Sequence, residues 1–201
     1  MKVVTKGFLL AVLFAAIVAC SGGGGQTAPC EAAEAVNEYA VYSAAIEEFS
    51  RGRNAKSIVI SDRTEDVSDP AGVTSGWVGR CEAFVPDAEK SIAASFRERN
   101  RQPLKLTRGL TLVGDYVLVS EADLKAIPSD RMRLEGMGLK YPDAFGVIGL
   151  SRVGFNAEMN RAVVYISQGY CGLGCGEGFC MVLVREDCKW KVKKKGGVWM
   201  S

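Results

Sequence analysis

Seven cysteines and no histidine define the chemistry open to this chain. Four of the cysteines, Cys171, Cys175, Cys180 and Cys188, crowd toward the C-terminus. Thiols so placed can hold a metal, cycle as a redox pair or close disulfides. Their spacing, Cys-x3-Cys-x4-Cys-x7-Cys, lacks the paired short knuckles of a zinc site, and three residues rather than two separate the first pair, unlike a thioredoxin-type motif. Six cysteines follow Cys20, and an even count favours disulfides in an oxidising compartment. Cys171 with Cys175 is the expected pair, because the glycines around them permit a tight loop. Cys30, Cys81, Cys180 and Cys188 remain candidates with open pairing. One option, Cys30 with Cys81, would close a loop of about fifty residues, with a constraint of roughly 4 kcal/mol on the unfolded chain. No metal and no cofactor is expected.

The absence of histidine removes serine-histidine and cysteine-histidine catalysis and the commonest metal ligand. Ser151 in Gly149-Leu150-Ser151-Arg152-Val153-Gly154 is not a nucleophile elbow, because the stretch has one residue too many and nothing could activate the hydroxyl. It reads as a strand with a bulge at Gly154. The alternating Gly172, Gly174, Gly176 and Gly178 are not a dinucleotide fingerprint. Paired carboxylates remain as a histidine-free route, namely a hydrolase of cell-wall glycan with Glu177 and either Asp143 or Glu82 as the pair. That is the alternative to the main expectation, a domain that binds or supports rather than catalyses. Its candidate binding loop, with Tyr170 and Glu177 as the binding residues, lies between Gly169 and Gly178, a stretch that carries five glycines.

Cys20 has a different environment. Lys2 and Lys6 precede thirteen uncharged residues, Gly7 to Ala19, too few to span a bilayer, which takes about 20, and typical of a signal-peptide core. The run ends in Ile17-Val18-Ala19-Cys20, the pattern of a bacterial lipobox, in which a small residue fits the protease and the thiol accepts diacylglycerol. The expected organisation is a signal peptide over 1–19, a lipidated Cys20 with a glycine-rich tether over 20–30, and one domain over 31–201. The expected location is the bacterial cell envelope, lipid-anchored, and the outer membrane if the cell is Gram-negative, since Ser21 rather than Asp follows the cysteine. Two or more acyl chains anchor stably. The expected partners are the membrane, through Cys20, and an envelope protein or glycan. Cleavage before Cys20 removes two lysines and leaves 23 basic against 23 acidic residues, so no net field favours nucleic acid.

The elements that must position these residues are read from periodicity. A helix over 31–50 carries Val36, Tyr39, Tyr42, Ile46 and Phe49 on one face. A strand follows at 57–61, and 62–85 reads as a loop, a length that marks either function or structure not visible to the pattern. A second helix over 87–100, a strand over 115–120 and a short helix capped by Ser120 come next. The last third reads as an antiparallel meander with strands near 146–151, 161–167, 179–185 and 189–194, the last two joined through Cys188. Lys189, Lys191, Lys193, Lys194 and Lys195 read as the wet face of the final strand. The class is α+β: a long N-terminal helix packed on a mostly antiparallel sheet that ends in the meander, with a second helix beside the first.

The C-terminal third resembles a family of uncharacterised bacterial exported proteins, often lipoproteins. The resemblance rests on Tyr141-Pro142, Gly146-Val147-Ile148, Leu150 to Asn156 (LSRVGFN), Ala162 to Tyr165, Cys171-Gly172 with Cys175-Gly176 and Gly178, Trp190-Lys191-Val192, and Trp199-Met200-Ser201. It implies a common domain ending in this hairpin. It implies no reaction, substrate or catalytic residue. Where those relatives tend to carry glycine, this chain has Cys188.

Overall fold

The computed structural model describes residues 38–53, 56–65, 76–86, 89–127 and 140–201. Its elements, in chain order, are α1 (Glu38–Ser50), β1 (Ser57–Ser61), α2 (Trp77–Phe84), α3 (Lys90–Arg99), β2 (Asp115–Val119), α4 (Glu121–Lys125), β3 (Val147–Leu150), β4 (Gly154–Phe155), β5 (Arg161–Gly169), β6 (Glu177–Glu186) and β7 (Lys189–Met200). The expected stretch of the first helix over 31–37 lies outside the described residues, as do the signal peptide, Cys20, the tether and Cys30.

The seven strands form one sheet in the order β2-β1-β3-β5-β6-β7, with β4 alongside β5. The class is α+β, and the C-terminal strands pair antiparallel as a meander. The sheet is mostly antiparallel as expected, and the exception lies in the first three strands, where β1 runs parallel to both β2 and β3. The connections made this invisible to a periodicity reading: a short buried strand carries the same β-branched run in either direction.

Each face of the sheet is covered. Val41, Tyr42, Ala45, Ile46 and Phe49 of α1 pack with Ile60, Ile148, Val164, Ile166, Met181 and Leu183. The alternate residues Val163, Tyr165, Cys180 and Val182 point the other way and pack with Trp77, Cys81, Ile92 and Phe96 of α2 and α3. Successive side chains of a strand face opposite sides, so the second and third helices sit across the sheet from α1 and not beside it. This double coverage explains why β5 is buried along nearly its whole length. The chain between α3 and β2 returns to the α1 face, where Leu104, Leu106, Leu110 and Leu112 join that core.

Helix α2 falls within the stretch read as a loop. Its eight residues include Gly79, and local propensity disfavours helix there. Tertiary anchoring overrides it: Trp77 stacks on Tyr165 with ring centroids 4.5 Å apart, and Cys81 is bonded to Cys180 of β6. That disulfide excludes the Cys30–Cys81 option. Cys171 pairs with Cys175 as expected, and Cys188 is also disulfide-bonded. Strand β7 runs six residues beyond its expected end, with register shifts at Gly178/Phe179 and Val182/Leu183. The second shift breaks the simple alternation of the lysines: Lys194 lies over the Phe84 ring at 4.1 Å and Lys195 over Phe179 at 4.2 Å.

Candidate functional site

The loop between β5 and β6 is shaped by backbone geometry before any side chain is considered. Tyr170, Gly172 and Gly174 have positive φ angles, a region that glycine enters freely and tyrosine enters at a cost. The Cys171–Cys175 disulfide closes the turn. On one side the loop rests on Gly146, where an added Cβ would lie 2.6 Å from the Gly169 carbonyl oxygen and 2.9 Å from the Cys171 Cβ. On the other side the Gly176 N–H donates to Ser201 Oγ at 3.0 Å, and the Ser201 N–H donates to the Gly176 oxygen at 2.9 Å. This rigid end carries exposed apolar groups: Tyr170 is 48% accessible, Leu173 68% and Met200 79%.

Glu177, expected in the same loop, opens β6 instead, and its carboxylate is engaged by Arg53. Arg53 joins three elements. Its Nε donates to the Phe49 carbonyl at 2.9 Å, at the end of α1, and another nitrogen donates to Gln168 Oε1 at 2.7 Å on β5. Its guanidinium lies over the Phe49 ring at 4.3 Å. Glu177 thus joins β6 to α1, whereas Tyr170 stays exposed. The other candidate carboxylates have their own partners: Asp143 lies 3.9 Å from Lys56, and Glu82, on the helix across the sheet, is held by Arg97. Each of the three acids is paired with a separate base.

The structure brings forward a carboxyl group that residue patterns missed. Glu65 follows β1 and lays its carboxyl on the sheet over Gly149, where a Cβ would sit 2.0 Å from Oε1. Ser167 Oγ donates to the same oxygen at 2.8 Å. Burial pushes the Glu65 carboxyl above its usual range, and the Ser167 hydrogen bond offsets part of that effect. Beside it, the Tyr165 hydroxyl accepts from Trp199 Nε1 at 2.6 Å, and burial raises the Tyr165 phenol to about 12. Burial also raises Tyr170, with the negative charges of Glu65 and Glu121 adding to the effect. The one sequence signal for Glu65 was its place past the end of a strand, and that position acquires meaning only once β1 is known to be parallel.

A second charged cluster is structural in character. Glu38, at the start of α1, is buried and accepts hydrogen bonds from Tyr42 Oη at 2.7 Å, Arg152 at 2.8 Å and the Val153 N–H at 3.1 Å, and it also pairs with Arg99. Burial alone would raise its pKa, but the hydrogen bonds and the Arg99 charge outweigh it and hold the carboxyl below its usual value. The LSRVGFN stretch builds this hub. Ser151 is fully buried, donates to the Arg152 carbonyl and accepts from the Tyr165 N–H. Asn100 binds both the N–H and the carbonyl of Arg152. A Cβ on Gly154 would lie 2.7 Å from the Phe96 backbone nitrogen. The Asn156 side chain caps the turn that leads into β5. The expected bulge falls just before Gly154: residues 151–153 stand opposite two residues of β5.

Among the described residues, no group of three or more Cys, Asp or Glu side chains is placed to hold a metal ion, and no helix is long and apolar enough to cross a membrane. The disulfides fit an extracytoplasmic location. No protein-family model, curated protein or solved structure matches the chain.

Proposed function

We propose that this chain is an exported lipoprotein, cleaved before Cys20 and anchored by lipid on that thiol, whose domain binds a partner protein in the cell envelope through the 170–176 loop. The binding half of this reading rests on one observation: Tyr170 and Leu173 are exposed on a loop that is locked by a disulfide and by the Ser201 clamp, and Met200 is exposed at the end of the strand beside it. Large apolar groups exposed together are uncommon unless something covers them. Leucine and methionine offer a sugar no strong hydrogen bond, so the cluster favours a protein surface over a glycan. A closed loop loses little freedom when it is covered, which keeps the entropic cost of binding low.

The anchoring half is supported by the length of the Gly7 to Ala19 run, the lipobox and the oxidised cysteines. Ser21 directs the anchored protein to the outer membrane if the cell has one. The resemblance of the C-terminal third to exported proteins points to the same compartment. With Glu177, Asp143 and Glu82 each held by a base, no observation favours the hydrolase.

A photo-crosslinking residue at position 173, in the full chain expressed in its own envelope, tests the binding half. The expected result is a discrete protein adduct that is lost when Met200→Asp is added and is absent from a probe at exposed position 98. Equal labelling from positions 98 and 173, or none at 173, contradicts the reading.

A further inference from the structure

Beyond the loop, on the α1 face of the sheet, lies an open cleft of about 320 Å³. Ile58, Leu112, Val113 and Phe145 supply its apolar wall, and Ser50, Arg51 and Arg53 its polar side. Small-molecule sites have this make-up, an apolar lining with a few fixed polar groups. The volume holds about ten water-sized groups at roughly 30 Å³ each.

Two features of the cleft are unexplained by the fold. Val113 is 89% accessible at the lip and contributes little to the core. Among the described residues, Ser50 Oγ is buried without a hydrogen-bond partner. A ligand with an apolar body and a polar head would cover the valine, whereas the Ser50 hydroxyl exposes no surface and stays out of its reach. The charges select the head. Arg53 is committed to Phe49, Gln168 and Glu177. Arg51 is exposed and tied only to Glu48, one helical turn away, at 3.0 Å, and such surface pairs are weak. Its guanidinium is therefore free to exchange Glu48 for a carboxylate, which it can bind bidentately. Glu47, also on the wall, disfavours a second anionic group on the ligand.

We infer that this cleft binds a small organic acid with an aromatic or aliphatic body of about ten heavy atoms, its carboxylate on Arg51 and its body against Phe145 and Val113. The inference uses residues distinct from those of the loop, so either can fail alone. The test is calorimetric titration of the full processed protein with 4-phenylbutyrate, 4-phenylbutanol and 4-phenylbutylamine. The carboxylate should bind best. Arg51→Ala should weaken it about tenfold or more, as the loss of a charge-assisted hydrogen bond implies. Val113→Asp should abolish binding. No binding of 4-phenylbutyrate, binding of the alcohol or amine equal to that of the acid, or binding unchanged in Arg51→Ala overturns the inference. The Leu173 adduct should persist in Val113→Asp, which separates failure of the cleft from failure of the loop.

Discussion

Two buried glutamates show how environment sets opposite chemistry for one residue type. Glu38 meets two guanidiniums, a phenol and a backbone N–H, and stays ionised below its usual range. Glu65 meets one serine hydroxyl on an otherwise apolar patch, and its proton is held more tightly than in the unfolded chain, whose value is near 4.5. The signs of the linkage are therefore opposite. The Glu65 contribution is fully present below pH 4.5 and is lost as pH rises through the raised folded value. The Glu38 contribution is present above pH 4.5 and is lost as pH falls through the lowered one. Glu65→Gln keeps an oxygen to accept from Ser167 and removes the charge. It is expected to raise Tm at pH 8 by about 2–4 °C for each kcal/mol recovered, and to leave Tm near that of the wild type at pH 4. Thermal melts at the two pH values check this, and a lower Tm at pH 8 would show that the ionised carboxylate is stabilising.

At the scale of elements, the Cys81–Cys180 disulfide fastens a short, glycine-containing helix to the centre of the sheet. It closes a loop of 99 residues in sequence, for which the chain-entropy model gives about 4–5 kcal/mol. Replacing both cysteines by serine is expected to lower unfolding stability by about that amount, measured by denaturant titration, while Cys171→Ser with Cys175→Ser costs much less because its loop is short. Equal losses would mean that the disulfides act through native packing and not through the unfolded chain. The same helix marks where reading the residues stops. Strands β1, β5 and β6 and helices α1 and α3 were legible because their apolar periodicity is local. The Cys171–Cys175 pair was legible because both thiols and their glycines are neighbours. Helix α2 was not, because Trp77 and Cys81 acquire their meaning from Tyr165 and Cys180, about 90 to 100 residues away. The parallel pairing of β1, the cradle of Gly149 and Ser167 under Glu65, and the capture of Glu177 by Arg53 are long-range in the same sense. Gly149 carried no pattern and Gly154 was read only as a bulge, yet each is required by a close approach to a particular neighbour.

The whole molecule has two distinct ends. Helix α1 begins at Glu38 beside Val153, near the end of the sheet where the β6–β7 turn carries Cys188. It finishes at Phe49 and Arg53 beside Gln168 and Glu177, next to the loop of Tyr170 and Leu173. Strand β5 spans the distance between the ends, about 30 Å at roughly 3.3 Å per residue. On the proposed anchoring, attachment at the first end would direct the loop and the Arg51 cleft away from the bilayer. Four of the six cysteines after Cys20 pair among themselves, so if Cys20 carries lipid, Cys30 is the thiol left for the disulfide of Cys188.

Mass spectrometry of unreduced peptides from protein extracted from its native envelope tests the anchoring claim most directly. The expected result is an N-terminal peptide that begins at Cys20 with a diacylglyceryl group, together with a Cys30–Cys188 disulfide. A Cys20 without lipid, above all one bonded to Cys188, would contradict the anchor and the orientation built on it.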